Sequence, residues 1–470
     1  MVKRHVLPGL LALSSLASCS FAPVYNPPIA PTPAAYKEAG PWQLAMPDSP
    51  ALTGDWWKLY GDATLDKLET RIETDNPTLA GALGRYDEAR GYQTQARAAL
   101  YPRIGVGADI TANRQSDNRP LRGNGEPDLY PVDTVGGDAS YELDLWGRVR
   151  NSVAAGKAQV QAGADDLAAI RLSLECRLAS SYVTLREMDQ QAALMKETVD
   201  AFAQADVMTR KRFDAGISTG IETAQSGAQL SEAQAQLSDV ENSRALTEHA
   251  IASLVATPAS SFSLAAAQAL LPIPDVPVTL PSVLVQHRPD VAAAERRMYA
   301  ANRGIGIAKA AFFPAITLGG QAGFQNAGLP GLLTAQNILW SVGPGAALSL
   351  FDGGRRRGRM AVARATWSQA TADYRVEVLK AFRQVEDGLS RLHHLGDEQT
   401  AEDRAVQQAG EAERLSLDRY ERGASNYLVV VMTQTAALRA RRQALALRTE
   451  RLQASIDLIR AIGGGWSPHA

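Results

Sequence analysis

The chain has 470 residues, its 48 lysines and arginines nearly balance its 50 aspartates and glutamates, and aromatic residues make up only 6%. The balanced charge argues against a nucleic-acid-binding surface, and the composition suits long, thin helices better than a thick globular core. Beyond the N-terminus, no stretch approaches the about eighteen unbroken apolar residues that a spanning helix needs. The sequence therefore predicts no transmembrane helix, and any membrane crossing would have to use strands.

The N-terminus has the pattern of a secretory signal. Lys3 and Arg4 precede an apolar run that is too short to span a bilayer. The run ends in Leu16-Ala17-Ser18-Cys19, which resembles the lipobox of bacterial lipoproteins. That resemblance implies a signal peptide over residues 1–18, a covalent diacylglycerol and palmitate at Cys19, and sorting to the outer membrane through Ser20. The alternative is an ordinary signal peptide whose cleavage site happens to contain a cysteine.

A proline-rich segment follows the signal. Residues 19–50 carry no periodic apolar pattern and predict an extended, lipidated tether. The other cysteine, Cys176, lies in a helical pattern and is predicted to be a small buried apolar side chain. With Cys19 lipidated, no intramolecular disulfide is expected.

From residue 51 the chain repeats its own pattern. The landmarks pair in the same order in both halves: Asn76-Pro77 with Arg288-Pro289, Tyr101-Pro102 with Phe313-Pro314, residues 145–148 with 350–355, and residues 212–216 with 419–423. The order indicates an internal duplication. We predict a first repeat over 51–270, a linker over 271–287, a second repeat over 288–466 and a short tail over 467–470.

Each repeat predicts a helix, a β-hairpin and a long helical hairpin, in that order. The first strand is indicated by alternate apolar residues at Ile104, Val106, Ala108 and Ile110. The second strand would place Tyr141, Leu143 and Leu145 on one face. The hairpins are predicted over about 103–146 and about 314–351.

Two long helical hairpins turn at glycines. The helical pattern from Arg148 to Phe213 contains no proline and would extend ~100 Å. Gly216 and Gly423 each separate two helical runs, which predicts the left-handed backbone of a helix C-terminus. The serine two residues after each glycine, Ser218 or Ser425, is predicted to cap the next helix. The tips are thus expected near 213–222 and 420–428.

The predicted strands are about ten residues long, which is enough to span a hydrocarbon core when tilted. Four strands cannot close into a barrel, and open edges are not tolerated in lipid. The chain is therefore expected to be an obligate homo-oligomer. The alternative is a small soluble sheet that packs on the helices.

Four motifs carry a resemblance to a known family. They are Trp56-Trp57-Lys58-Leu59-Tyr60-Gly61-Asp62, Arg288-Pro289-Asp290-Val291 with the run to Phe313-Pro314, Trp340-Ser341-Val342-Gly343-Pro344 with residues 350–355, and Gly463-Gly464-Gly465-Trp466. Together with the lipobox they cover the chain nearly end to end. The chain resembles the TolC-like outer membrane factors, and within them the lipid-anchored branch typified by OprM and NodT.

The resemblance implies an α+β membrane protein that assembles as a homotrimer. Four strands from each chain would form a shared twelve-stranded β-barrel in the outer membrane, continuous with a long periplasmic α-helical barrel. Such proteins are passive exit ducts for drugs or other small solutes. They dock with a periplasmic adaptor (membrane fusion) protein and an inner-membrane pump, usually of the RND class.

The chain carries no motif for catalysis or energy coupling. No Gly-x-x-x-x-Gly-Lys-Ser/Thr or His-Glu-x-x-His pattern occurs. The one Gly-x-Ser-x-Gly match, Gly216 to Gly220, falls in a predicted turn between two helices and not in the strand-to-helix turn of a nucleophile elbow. Neither an enzyme nor a cofactor other than the lipid is therefore predicted. His393 and His394 are adjacent, so on a helix they are not expected to face the same way, and no metal site is predicted. Arginines at 355–357 and 359 predict a charged helix start at the membrane boundary, with contact to lipid anions as the alternative.

The resemblance also implies a gate at the helix tips. The family often places acidic residues just beyond the tip tyrosine, where rings of carboxylates select cations. Matching the motif puts those positions at Val429 and Met432, which are apolar, so closure is expected to rely on apolar packing. The polar gate candidates are Glu222, Arg419 and Tyr420. In the alternative, Val429 and Met432 only pack the seam between helices.

Two other functions fit the sequence. The duct could serve a type I polypeptide secretion system, because the duct itself does not discriminate between cargoes. The chain could also be a periplasmic coiled-coil lipoprotein with no pore.

Overall fold

The computed structural model describes residues 20–28, 33, 35–38, 54–116, 118, 128–267, 271–274, 276 and 287–467. The predicted signal peptide, Cys19 and much of the predicted tether lie outside these residues. The described residues fall into two compact units. The first unit draws on residues 1–29, 85–164 and 293–374, and the second on residues 30–84, 165–292 and 375–470.

The first unit contains one antiparallel sheet with strand order β1-β2-β3-β4. The strands are β1 Arg103–Arg114, β2 Leu129–Leu143, β3 Ala315–Asn326 and β4 Ile338–Ala347. Both repeats contribute to the sheet, because β2 pairs with β3. Gly136 lies opposite Gly323 in that pairing, and a Cβ atom at Gly136 would fall 2.7 Å from the Ala322 carbonyl oxygen. Glycine is required there because the two strands approach so closely.

One face of this sheet exposes apolar side chains. They include Ile104, Val106, Ile110, Trp340 and Val342. The edges of β1 and β4 pair with no further strand within the described part of the chain. Among these same residues, no helix is both long and apolar enough to cross a membrane.

The helices have matching lengths in the two repeats. They are α1 Ala63–Asp75, α2 Pro77–Ala98, α3 Arg148–Asp214, α4 Gly220–Leu254, α5 Pro289–Ala310, α6 Arg355–Glu421 and α7 Tyr427–Ala461. Helices α3 and α6 are both 67 residues long, and α4 and α7 are both 35 residues long. These equal lengths agree with an internal duplication. Short 3-10 helices occupy Trp56–Tyr60, Ala259–Ser261 and Ala335–Asn337.

Two strands end earlier than the sequence predicts. Leu145 lies beyond β2, and β4 stops at Ala347 instead of continuing toward residue 351. The reason is a helix cap. The Asp144 carboxylate accepts hydrogen bonds from the Val149 and Arg150 backbone amides, 3.0 and 2.8 Å long. Asp352 similarly accepts hydrogen bonds from two backbone amides at the start of α6. Each carboxylate satisfies amides that the first helical turn leaves free, so the chain must leave the sheet before it.

The second unit is held by buried side chains from several helices. Trp56 donates a hydrogen bond to the Glu175 carboxylate (3.2 Å), and the Tyr60 hydroxyl lies 2.7 Å from the Ser455 hydroxyl. Cys176 is buried, as predicted, and it is a free thiol. Burial raises the pKa of the Cys176 thiol, so it remains protonated and acts as a small apolar side chain.

Candidate functional site at the helix tips

Both helical hairpins turn through a left-handed glycine. Gly216 has a φ of +72° and Gly423 a φ of +75°. At the first tip, the Ile217 amide donates a 2.8 Å hydrogen bond to the Arg212 carbonyl; at the second, the Ala424 amide donates one of 2.8 Å to the Arg419 carbonyl. These bonds satisfy carbonyl groups at the end of each helix. Nothing lies within 4 Å of a Cβ atom placed at either glycine, so the backbone conformation alone requires glycine.

The serines do not cap the following helices. Thr219 caps α4 by accepting a hydrogen bond from the Glu222 amide, and Asn426 caps α7 by accepting one from the Val429 amide. The prediction of Ser218 and its counterpart Ser425 as caps is therefore wrong by one residue. Ser218 instead donates a short hydrogen bond to the Glu222 carboxylate. The chain needs one more residue than predicted to leave the left-handed turn and reach the extended backbone of a cap.

Tyr420 and Tyr427 form an aromatic pair at the second tip. They are only 3% and 1% exposed, and their ring centroids lie 5.4 Å apart. Both pack in one apolar cluster with Ala205 of α3 and Val430 of α7. Burial raises the pKa of Tyr420. The structure thus places this gate candidate inside the packing of the hairpins instead of on their surface.

Arg212 connects the first tip to the second. Its guanidinium carbon lies 4.6 Å from the centroid of the Tyr420 ring, and its Nη1 donates a 3.2 Å hydrogen bond to the Tyr420 carbonyl oxygen. This geometry combines a cation–π contact with a hydrogen bond from a charged donor. A second link is the Tyr427 hydroxyl, which donates to the Gln229 side chain at 3.1 Å. The two repeats are therefore joined at their tips by polar contacts.

A pair of hydroxyl groups lies one to two turns behind each tip, buried in the first hairpin and partly buried in the second. In the first hairpin, the hydroxyl groups of Thr209 and Ser226 lie 2.7 Å apart, and Ser226 donates to the Asp206 carboxylate at 2.9 Å. Arg210 donates a 2.7 Å hydrogen bond to the same carboxylate. That bond is the main reason why the pKa of Asp206 is lowered. In the second hairpin, the hydroxyl groups of Ser416 and Thr433 lie 2.5 Å apart.

The remaining gate candidates lie on the outside of the chain. Val429 is 43% exposed and Met432 is 66% exposed, whereas their neighbour Val430 is fully buried. In the single chain Val429 and Met432 therefore do not pack between its own helices, and the alternative in which they only pack a helix seam stays a prediction for a seam with another copy. Arg419 is also exposed, and Glu222 is half-buried. These side chains are available to another copy of the chain or to a partner.

Sequence reasoning missed several residues that hold the tips together. They are Asp206, Arg212, Gln229 and Tyr427. One signal was available, because Arg212 occupies the same position in the first repeat as Arg419 in the second. The other contacts join distant parts of the chain and leave no periodic trace in the sequence.

The expectation that His393 and His394 face different ways is wrong. Their ring centroids lie 5.1 Å apart, and a nitrogen of each ring and a carboxylate oxygen of Asp397 all lie within 4.8 Å of one another. Asp397 follows His393 by one helical turn, which brings its carboxylate to 3.9 Å from the His393 Nε2 atom. Metal ligands normally have an orienting hydrogen bond of their own, and neither imidazole makes one to a described residue. We assign no ion to this exposed cluster.

Comparisons with known proteins place the chain in a family. The profile of the family described as "Outer membrane efflux protein" matches residues 70–257 and 280–464. Outer membrane protein OprJ of Pseudomonas aeruginosa is 30% identical over 462 residues, which cover 97% of this chain and 95% of OprJ. The toluene efflux pump outer membrane protein TtgF of Pseudomonas putida is 29% identical over 481 residues, covering 99% of this chain and 98% of TtgF.

A solved structure matches the fold over nearly the whole chain. The outer-membrane channel OprN superposes with a TM-score of 0.88 at 25% identity, covering 96% of this chain and all of OprN. The TolC-like fold, the efflux function and the outer-membrane location that the sequence predicts are confirmed. The chain belongs to the outer membrane efflux protein family and is the outer membrane channel of an efflux system.

Proposed function

We propose that three copies of the chain form a passive exit duct, which docks with a periplasmic adaptor and receives small solutes from an inner-membrane pump of the RND class. The open edges of the sheet carry this proposal. Strands β1 and β4 lack a further partner within the described residues, and one face of the sheet exposes apolar side chains. Open edges are not tolerated in lipid, so sheets from three chains would have to pair edge to edge.

The cargo is proposed from the relatives. TtgF is named for toluene efflux, which favours small apolar or amphiphilic molecules over polypeptides. The chain has no phosphate-binding loop, and its one Gly-x-Ser-x-Gly stretch, Gly216 to Gly220, is the turn between two helices. It is therefore proposed to be neither an enzyme nor the source of energy. Selection of the solute would then fall to the pump.

Closure is proposed to occur at the tips. Val429 and Met432 are exposed in the single chain and would face the same side chains of the other two copies. Glu222 and Arg419 would supply the polar groups nearby. Tyr420 would act indirectly, by fixing the position of the second tip.

The duct is tested with the purified full-length protein in a mild detergent. Native mass spectrometry is expected to show a complex of three chains, and planar bilayers are expected to show conductance. A second test uses Val429→Asp, which should raise the conductance and the preference for cations, because carboxylates in a constriction select cations. Leu428→Asp is the control, since it adds the same charge at the neighbouring exposed position. A stable monomer without conductance would contradict the proposal.

We also propose that Cys19 carries a diacylglycerol and palmitate. The support is the Leu16-Ala17-Ser18-Cys19 pattern after a short apolar run. Radiolabelled palmitate should enter the wild-type chain and not Cys19→Ala. Labelling that survives in Cys19→Ala would overturn this assignment without affecting the proposed duct.

A further inference from the structure

A cavity opens beside the first residues that the structure describes. Its volume is about 580 Å³, and it lies between the segment 20–23, the last turns of α5 and the first turns of α6. We refer to it as the α5–α6 pocket. Its apolar wall is formed by Phe21, Ile305, Met360 and Trp367, and its two cations are Lys309 and Arg364.

The wall made by segment 20–23 is held by specific contacts. The Phe21 ring stacks on Phe313 with centroids 4.5 Å apart, and Ser20 accepts a 3.1 Å hydrogen bond from Asn151. Gly306 allows the segment to lie against α5, because a Cβ atom there would fall 2.8 Å from the Ala22 nitrogen. The pocket is therefore built by tertiary contacts instead of by a loose end of the chain.

Neither cation has an acidic partner within the described part of the chain. No carboxylate there lies within ion-pairing distance of Lys309 or Arg364. The Nζ of Lys309 lies 5.2 Å from the centroid of the Phe21 ring. Arg356, two turns earlier on α6, is by contrast paired with Asp352 at 2.7 Å. Two positive charges that no described carboxylate compensates, placed beside an apolar cavity, fit a ligand with an anionic head and an apolar tail.

The position of the pocket fits a membrane lipid. Lys309 lies in the last turn of α5, a few residues before β3 begins, and Arg364 follows β4 in the first turns of α6. Both strands expose apolar residues. Trp367 is 38% exposed at the pocket, and tryptophan is enriched where membrane and water meet.

We propose that the α5–α6 pocket binds an anionic phospholipid of the outer membrane. The phosphate lies between Lys309 and Arg364, and an acyl chain lies along Met360 and Trp367. The lipid predicted on Cys19 does not satisfy this site, because its diacylglycerol and amide-linked palmitate carry no charge. Free phosphate would satisfy the cations and leave the apolar wall unused.

The experiment uses the full-length protein in a detergent that carries no charge. Phosphatidylglycerol with brominated acyl chains is added, and quenching of tryptophan fluorescence gives its affinity. The wild type is expected to bind this lipid more tightly than brominated phosphatidylcholine. Lys309→Ala with Arg364→Ala should weaken phosphatidylglycerol binding roughly tenfold and leave phosphatidylcholine unchanged. The matched control replaces Arg355 and Arg357, exposed cations outside the pocket, and is expected to change affinity less than about twofold.

Further measurements distinguish lipid bound in the pocket from other causes of tryptophan quenching. Met360→Phe fills the apolar part of the pocket with both cations intact and adds no tryptophan, so it should also weaken binding. Trp367→Phe should remove the part of the quenching that saturates as the pocket fills and leave the quenching of Trp340, which is exposed on the sheet. Inorganic phosphate at millimolar concentration should not displace the lipid. The proposal is overturned if the double variant binds phosphatidylglycerol normally, if phosphatidylcholine binds equally well, or if phosphate displaces the lipid. Native mass spectrometry of each variant checks that the assembly is intact, so loss of binding is not mistaken for unfolding.

Discussion

The two helix tips share a backbone but are held by different side chains. Each has a left-handed glycine, a polar cap on the next helix and a pair of hydroxyl groups within hydrogen-bonding distance, which is buried in the first hairpin and partly buried in the second. The second tip buries the aromatic pair of Tyr420 and Tyr427. At the matching positions the first tip has Phe213, which is 48% exposed, and Gly220, which has no side chain.

The difference shows that turn geometry and tip stability have separate causes. The turn needs only glycine and a cap, which both tips have. Stability also depends on buried side chains, and the buried aromatic rings lie at the second tip, where Arg212 from the first repeat also packs on Tyr420. The first tip exposes Ile217 and Ile221. We therefore expect the first tip to open more readily in solution than the second.

The largest effect is expected from Tyr427→Ala. Removing a buried aromatic side chain costs about 3–5 kcal/mol, so the free energy of local opening at residues 420–430 should fall by a similar amount. Hydrogen exchange followed by mass spectrometry measures that quantity. Phe213→Ala is the control at the first tip, and its half-exposed ring should contribute much less. If Tyr427→Ala and Phe213→Ala lower the free energy of local opening equally, the second tip is not more stable than the first.

Arg212→Met is expected to have the next largest effect. It removes the cation–π contact with Tyr420 and the hydrogen bond to the Tyr420 carbonyl, together about 1–2 kcal/mol. Exchange should increase at the second tip although the substitution lies in the first. The control is Arg419→Met at the equivalent position, where the arginine is exposed. If Arg419→Met proves equally disruptive, Arg212 does not have the linking role described above.

Gly423→Ala should destabilise its tip by about 1 kcal/mol, because an L-residue is strained at a positive φ. No steric clash adds to this cost, since nothing lies within 4 Å of the new Cβ atom. Gly358→Ala, inside helix α6 and equally free of clashes, should instead stabilise the chain by about 0.5–1 kcal/mol. Hydrogen exchange should show a lower free energy of local opening around residue 423 in Gly423→Ala and a higher one around residue 358 in Gly358→Ala. Changes of opposite sign would verify that backbone conformation is the cause.

The smallest effect concerns pH at the first tip. The pKa of Asp206 is lowered in the folded chain, chiefly by the hydrogen bond from Arg210. The stability it contributes is present above the ordinary pKa of aspartate and is lost as the pH falls through the lowered value. Asp206→Asn should therefore cost about 0.5–1 kcal/mol at pH 7 and progressively less below about pH 4. Asp200→Asn, at an exposed position of the same helix, is the control and should cost much less stability at pH 7.

Some features of the tips can be predicted from the local sequence, and others cannot. Gly216 and Gly423 were identifiable because a glycine between two long helical patterns marks a left-handed turn. The burial of Tyr420 was not, because it depends on Ala205 and Arg212, which lie far away in the chain. The predicted ends of β2 and β4 were wrong for a similar reason. Asp144 and Asp352 cap the next helices, and alternation of apolar residues contains no information about that.

The sequence by itself determined the internal duplication, the long helices, the turning points and the family, because these depend on periodicity, on glycine and proline, and on continuous motifs. The tertiary structure alone decided which tip residues are buried, which contact links the repeats, and where Lys309 and Arg364 meet an apolar cavity. Those features arise when segments separated by tens to hundreds of residues pack together. Burial and charge compensation are properties of that packing and not of any single stretch of the chain.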